Sequence, residues 1–368
     1  MGIAVEPKEP KKFDKTLDQF FKEKPGEYEY KPPEVPGGRI SSMVLNRKLN
    51  PYPFARTLWV TEEAREYWLP KIEAAANAFH RLETLTVFYG VRRVFTTHFR
   101  PEDLVSGFDS LARMGLVFYP LHQVGSYQGF AHYHPPVEPG KPWTYYGVVG
   151  KMEDARAFAE ATREGDHKTM GELLGYPPCC TESFNRVWRA GYIDPIWQAG
   201  EASYAESPES FELYDPDSRI MRLKPVPEAL AVLRYIGIRM VSHIPHSLTC
   251  KASQKVAEFF REVAKEEGLY YGALEYSDEI LRWNIEWSVL HGIAEVKTPV
   301  FKVSTNSTPT YQKYVVQLVG EIPPEEVKHS VTGLVFPYIP SKVRKLTEHP
   351  AFLRFEGVIE DKKEDSSK

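Results

Sequence analysis

Three cysteines and two histidines in this 368-residue chain lie in two short segments. Cys179 and Cys180 are adjacent, and Cys250 follows much later, close behind His243 and His246. Thiolates and imidazoles are typical ligands of zinc, and thiolates also hold iron–sulfur clusters. If the two segments meet in the folded chain, we expect these five residues to form one metal site. Its cofactor would be zinc or an iron–sulfur cluster.

The first segment has the pattern of a chain break followed by a helix. Gly175 can end one helix, Pro177 and Pro178 favour extended backbone, and Thr181 can cap the next helix. The two adjacent thiols would then lie near free backbone N–H groups and the positive end of a helix dipole. Such surroundings lower the pKa of a thiol and favour the thiolate that metals and electrophiles require.

The second segment repeats this pattern with a predicted strand, a break at Pro245 and a helix start. His246 and Cys250 are four residues apart, so they share a face if the helix has already begun. His243 ends the strand that leads to this point. The sequence therefore predicts that soft and borderline ligands gather at two loop-to-helix junctions.

The cysteine spacing does not match a standard metal motif. There is no C-x-x-C pair, and the side chains of adjacent cysteines usually diverge. Three alternatives to a metal remain open: a disulfide, a reactive thiol in which Cys250 resolves an intermediate on Cys179 or Cys180, and buried cysteines without chemistry. Each histidine can equally be a structural residue held by hydrogen bonds.

Together the two segments resemble a mostly archaeal protein family of unknown function. The resemblance rests on Gly-Tyr-Pro-x-Cys-Cys at 175–180 and on His-x-Pro-x-Ser-x-x-Cys-x-x-Ser at 243–253, and it covers about residues 145–340. In that family the position between proline and serine of the second motif is often cysteine, where this chain has His246. Metal sites tolerate this exchange and disulfides do not. The resemblance implies no particular reaction.

A second group of candidates lies in the segment 283–291 (WNIEWSVLH). Its large apolar residues recur at helical spacing, which predicts a helix with these side chains toward the core. Glu286 or His291 could then act as a general acid or base beside the thiols. The alternative is a buried helix with one polar edge and no catalytic role.

Two further groups have simple explanations. His132 and His134 would face one side of a strand, at a spacing that metal sites use, but strand histidines of this kind are common. Arg92, Arg93 and Arg100 lie among aromatic residues, as in single-strand RNA sites, yet a solvated strand edge explains them as well. Nucleic-acid binding is not favoured, because the formal net charge of −4 provides no broad positive field.

Composition limits the class of protein. The chain is 42% hydrophobic and 13% aromatic, so it can bury a core without disulfides. No apolar run approaches the roughly 18 residues of a membrane span, and the first residues are charged, unlike those of a signal peptide. Phosphate-binding, dinucleotide-binding and serine-hydrolase motifs are absent from the sequence. We therefore expect a cytoplasmic protein without membrane contact, whose substrate is an unknown small molecule or macromolecule.

Helix and strand signals alternate along the chain, which favours an α+β or mixed α/β class with helices packed on a mixed sheet. We expect a Pro-rich charged arm over 1–50, a single composite domain over 51–350 and a charged tail over 351–368. The patterns predict helices over 62–79, 101–115, 152–163, 227–237 and 248–267, and a further helix that ends at Gly175. They predict strands over 116–119, 145–149, 238–244, 296–303 and 311–319.

The leading hypothesis is a metal- or iron–sulfur-dependent enzyme whose reaction the sequence does not define. The alternatives are a metal-free redox or nucleophilic thiol protein and a non-catalytic binding module, including one for RNA. These hypotheses differ in one geometric requirement. A metal site needs the thiols and an imidazole within reach of a single ion.

Overall fold

The structure, a computed structural model, describes residues 13–24, 26–28, 56–125, 136–189, 195–215, 220–224, 233–283, 285–290 and 293–304. The helices are α1 (Leu17–Lys22), α2 (Glu62–Phe88), α3 (Leu104–Arg113), α4 (Met152–Glu164), α5 (His167–Leu173), α6 (Pro178–Arg189), α7 (Pro195–Glu206), α8 (Lys251–Glu266) and α9 (Glu275–Ile280). The strands are β1 (Arg56–Trp59), β2 (Val94–Phe99), β3 (Val117–Gly125), β4 (Trp143–Gly150), β5 (Phe211–Asp215), β6 (Ile220–Leu223), β7 (Ile285–Leu290), β8 (Ile293–Lys297) and β9 (Phe301–Ser304).

The strands of these residues form two separate sheets. One has the order β1-β9-β8-β7-β6-β5 and the other has the order β2-β4-β3. Every described pairing is antiparallel. The α+β class is thus confirmed, although the sheets are antiparallel where a mixed sheet was expected. The reason is the length of the connections: two residues separate β7 from β8 and three separate β8 from β9, whereas parallel neighbours need a long crossover.

Several predicted helices are confirmed, although α2 continues nine residues beyond Phe79 and α8 begins three residues after Leu248. The long helix α2 begins after Thr61, whose hydroxyl accepts a hydrogen bond from the backbone N–H of Ala64 at 3.0 Å. The helix predicted from Pro101 is a short 3₁₀ turn that continues into α3 and ends before Gly115, which has a φ of 67°. The helices predicted over 152–163 and 248–267 correspond to α4 and α8.

Three predicted elements are wrong. Residues 238–244 are irregular and contain bends but no strand; Ile238, Met240 and Val241 are buried in the core without joining a sheet ladder. The expected strand 296–303 is the β8–β9 hairpin, with its turn at Thr298. The segment 283–291, expected to be a helix, contains β7, because its apolar residues also alternate with a period of two.

Some predictions fall on residues outside the described part of the chain. These are the strand 311–319, the tail 351–368, most of the helix over 227–237 and most of the arm over 1–50. Within that arm, the described helix α1 packs into the core through Leu17 and Phe21. No helix of the described residues is both long enough and apolar enough to span a bilayer.

The largest core cluster positions the cysteines. It combines α2, α8 and the inner face of the six-stranded sheet, with Trp68, Phe79 and Phe260 among its fully buried side chains. All three cysteines belong to this same cluster. The start of α6 and the start of α8 therefore meet inside the protein rather than at its surface.

Candidate metal centre

The first cysteine pair lies in the opening turn of α6. Gly175 ends the preceding helix with a φ of 70°, and a Cβ added to it would lie 2.9 Å from the Cβ of Arg92. Glycine is therefore required here both for its backbone conformation and for close packing. The helix begins at Pro178, so Cys179 and Cys180 are helical. The expectation that Thr181 caps this helix is wrong, because the helix starts three residues earlier.

The second group approaches from α8 and the loop before it. Cys250 is the N-cap of α8, and its sulfur accepts a hydrogen bond from the backbone N–H of Ser253 at 3.4 Å. His246 lies in the preceding loop, so it does not share a helical face with Cys250 as the spacing suggested. The loop itself brings the imidazole to the thiols.

Four side chains converge at this junction. The Sγ atom of Cys179 lies 3.9 Å from those of Cys180 and Cys250, and the Cys180 and Cys250 sulfurs are 3.7 Å apart. The Nδ1 atom of His246 lies 3.6 Å from the Cys180 sulfur. All four ligand atoms lie within 4.8 Å of one another, close enough to hold a metal ion.

The site is enclosed and its cysteines are not in disulfides. Cys179, Cys180 and Cys250 are free thiols with at most 3% of their surface exposed. The side chain of His246 is 12% exposed. A ligand set of three cysteines and one histidine in such surroundings suits zinc or another thiophilic metal.

Burial and the hydrogen bonds among the four residues shift their pKa values in opposite directions. Hydrogen bonds from Cys179 and Cys180 lower the pKa of Cys250 far below its ordinary value. Burial and the neighbouring thiols raise the pKa of Cys180 well above its ordinary value. Burial alone would lower the pKa of His246, but hydrogen bonds to Cys179, Cys250 and Glu206 raise it to about 12. The arrangement therefore favours a thiolate at Cys250 beside a cation.

A carboxylate holds the far side of the imidazole. The Nε2 atom of His246 lies 3.4 Å from a carboxylate oxygen of Glu206, at the end of α7. Ser247 and Thr249 donate hydrogen bonds to the other oxygen of Glu206, at 2.6 and 3.1 Å. Burial raises the pKa of Glu206, but the hydrogen bond and charge of His246, together with the hydrogen bonds from Ser247 and Thr249, outweigh it and the pKa is lowered. The carboxylate thus directs Nδ1 of His246 toward the sulfurs.

His243 lies beside the group of four rather than within it. Its Nε2 atom is 2.7 Å from the hydroxyl of Ser253, and that hydroxyl is 3.3 Å from the Cys180 sulfur. His243 thus reaches the thiols through Ser253. Burial lowers the pKa of His243 to about 4, so its ring is neutral at physiological pH.

The structure does not bring Glu286 into this group. Glu286 is a buried residue of β7, and its carboxylate pairs with Arg222 at 2.6 Å and with the amine of Lys297. The helix that was expected to present it does not exist. His291, His132 and His134 lie outside the described residues. Arg92, expected at a solvated strand edge, is buried and donates hydrogen bonds to Thr86, Ser242 and Glu83.

Sequence reasoning missed Glu206 and the bridging role of Ser253. Ser253 stands three residues after Cys250 in the second motif, so its place at the helix start was visible. Glu206 lies far upstream at the end of another helix, and no local pattern connects it with His246. No protein-family model, no curated protein and no solved structure matches the chain.

Proposed function

We propose that this protein binds one zinc ion in a tetrahedral site formed by Cys179, Cys180, Cys250 and Nδ1 of His246. Zinc–sulfur bonds of about 2.3 Å and a zinc–nitrogen bond of about 2.0–2.1 Å give tetrahedron edges of about 3.8 Å between sulfurs and about 3.6 Å between sulfur and nitrogen. The sulfur separations of 3.7–3.9 Å and the sulfur–nitrogen separation of 3.6 Å agree with these edges. This agreement carries the proposal.

The same separations favour a single ion over an iron–sulfur cluster. Cysteines that hold a four-iron cluster each bind a different iron, so their sulfurs lie on the order of 6 Å apart. All four ligand atoms here lie within 4.8 Å of one another. The side chains of adjacent cysteines usually diverge, which in the sequence argued against a shared ion. In the first turn of α6, however, the sulfurs of Cys179 and Cys180 lie 3.9 Å apart.

The surroundings of the ligands support a metal. Glu206, His246 and the ion would form the carboxylate–histidine–metal arrangement that fixes the ring of a ligating histidine. Backbone N–H groups of His246 and Ser253 donate to the sulfurs of Cys180 and Cys250, both at 3.4 Å. Donors of this kind stabilise thiolates. A bound cation would take over the role of the imidazolium proton beside Cys250.

Four protein ligands are typical of a structural zinc site, because a catalytic one keeps a position open. The ion would join the start of α6, the loop around His246 and the start of α8. We therefore propose that zinc stabilises the fold at this junction. A metal-dependent enzyme stays a prediction, since catalysis at the ion would require His246 to leave it.

The experiment is a metal and sulfide analysis of protein purified without oxygen, combined with titration of the thiols. We expect one zinc per chain, no acid-labile sulfide, and thiols that react only after chelation. Finding iron together with an equal amount of sulfide would show that the site holds an iron–sulfur cluster instead of zinc. A metal-free protein with three freely reactive thiols would overturn the proposal in favour of the thiol chemistry.

A further inference from the structure

A cavity of about 330 Å³ lies directly beside the metal centre. Cys180 forms part of its wall, together with aromatic side chains from β4, α4 and the turn before α6 (Tyr146, Phe158 and Tyr176). Its volume is in the range of small-molecule sites, which combine apolar walls with a few oriented polar groups.

Three buried polar atoms in this wall have no hydrogen-bond partner among the residues that the structure describes. They are Oγ1 of Thr181, Oδ1 of Asn185 and Nδ1 of His243. His243 is only 6% exposed, so water at the surface cannot satisfy it. Thr181 and Asn185, one turn apart on α6, also line a neighbouring cavity of about 570 Å³. Unpaired buried polar atoms destabilise a fold, and a group of them at one cavity indicates a bound partner.

The neighbouring hydrogen bonds define what this partner must offer. When Cys180 binds zinc as a thiolate, as proposed above, its sulfur accepts the single hydroxyl hydrogen of Ser253 at 3.3 Å. Ser253 then accepts from Nε2–H of His243 at 2.7 Å, and the neutral ring presents a lone pair at Nδ1. The amide oxygen of Asn185 is also an acceptor. A ligand that offers hydrogen-bond donors would therefore satisfy two acceptors, Nδ1 of His243 and Oδ1 of Asn185, and could also bond to the Thr181 hydroxyl.

We propose that this cavity binds a compact, uncharged molecule with at least two N–H or O–H donors. Nucleosides and monosaccharides share this chemistry and fit the volume of about 330 Å³. None of the three unpaired atoms is a metal ligand, but the acceptor role of His243 Nδ1 rests on the proposed zinc function, because it requires Cys180 to be a thiolate. The contact of the cavity with Cys180 places the ligand next to the metal centre.

The test is calorimetric titration of the full chain with its native metal content, using nucleosides (adenosine, cytidine) in one arm and monosaccharides (glucose, ribose) in the other. We expect saturable binding in one arm. Asn185→Leu and Thr181→Val should each weaken that binding by about 10- to 100-fold, because Asn185→Leu removes the acceptor Oδ1 and Thr181→Val removes the hydroxyl. Glu160→Gln, an exposed residue of α4 that lines neither cavity, is the control and should bind like the wild type.

Thermal unfolding of the unliganded variants keeps the proposal testable if one of them binds nothing. Thr181→Val and Asn185→Leu should unfold at the same temperature as the wild type or higher, since each removes an unpaired polar atom. Absence of binding in both arms at millimolar concentration would overturn the proposal, as would equal affinities of wild type and variants. Metal content measured on the same samples separates this outcome from a failure of the zinc site.

Discussion

Two buried polar clusters of this protein differ in how their charges are balanced. In the sheet, the carboxylate of Glu286 is held by Lys297 and Arg222, so one anion meets two cations of the chain. In the metal centre, three thiols converge with a single imidazole, and the hydrogen bonds described at the sulfurs come from one another, His246, Ser253 and backbone N–H groups. The first cluster is complete, whereas the second gathers electron-rich atoms around a point that suits a cation.

The difference distinguishes a structural ion pair from a ligand site. A buried carboxylate with two cationic partners has its charge neutralised and needs no ligand. Electron-rich sulfurs brought within 4 Å of one another are stabilised by a proton or by a metal. Burial and polarity alone therefore do not identify the ligand site; the convergence of three sulfurs and an imidazole nitrogen on one point does.

Removal of the metal should have the largest effect on stability. We expect chelation, or Cys180→Ser, to lower the free energy of unfolding by several kcal/mol, because structural zinc contributes about 10–16 kcal/mol to small zinc domains. Denaturant unfolding with parallel metal analysis measures this. Val256→Ala in α8 is the control: it weakens the same core and should retain one zinc per chain. Equal stability with and without chelator would contradict a structural ion.

Breaking the complete cluster should destabilise the fold without affecting the metal. Glu286→Gln leaves the amine of Lys297, only 1% exposed, without its anion, and we expect a loss of about 3–5 kcal/mol. Glu286→Met combined with Lys297→Met should recover much of that loss. Metal content should stay at one zinc per chain in both variants. A loss of zinc would show that the metal centre depends on the Glu286 cluster and would contradict this prediction.

Acid should reveal His243 as a buried neutral group. Its pKa of about 4 lies below the ordinary value of 6.5, so the unfolded chain binds a proton that the folded chain rejects. Stability is full above about pH 6.5 and declines as the pH falls toward 4, by on the order of 3 kcal/mol. His243→Gln, measured beside the wild type in chelator, should lack this component. Parallel pH profiles would show that His243 is not the titrating group.

The smallest expected effect concerns the carboxylate behind His246. Glu206→Gln should weaken zinc binding by about 10- to 100-fold, because it removes the anion that orients the imidazole.

His246→Cys should retain the ion and change the absorption spectrum of the cobalt-substituted protein, and His246→Ala should weaken binding. Glu209→Gln, exposed and close in sequence, is the control. Competition with a chromogenic chelator measures each affinity.

The sequence predicted which cysteines converge at the metal centre better than it predicted the secondary structure around them. Cys179, Cys180 and Cys250 were identified from residue type and from their positions at chain breaks, and those breaks do bring them together. The predicted strand 238–244 failed because β-branched residues buried in a core look like a strand whether or not they pair. Glu206 could not be predicted, since its contact with His246 depends on how α7 packs rather than on spacing.

The segment around Glu286 shows the opposite limit. Its apolar residues fit both a helical and an alternating period, and local pattern could not separate the two. The pairing of β7 with β6 and β8, which sets Glu286 opposite Arg222 and Lys297, decides the matter. Long-range strand pairing of this kind leaves little trace in a short window of sequence.

X-ray absorption at the metal edge of the purified protein tests the central claim most directly. We predict a zinc edge with three sulfur atoms at about 2.3 Å and one nitrogen at about 2.0–2.1 Å. In His246→Cys, the nitrogen should be replaced by a fourth sulfur. An iron edge with neighbouring iron atoms, a zinc shell of nitrogen and oxygen alone, or a protein with no bound metal would contradict the Cys₃His zinc centre.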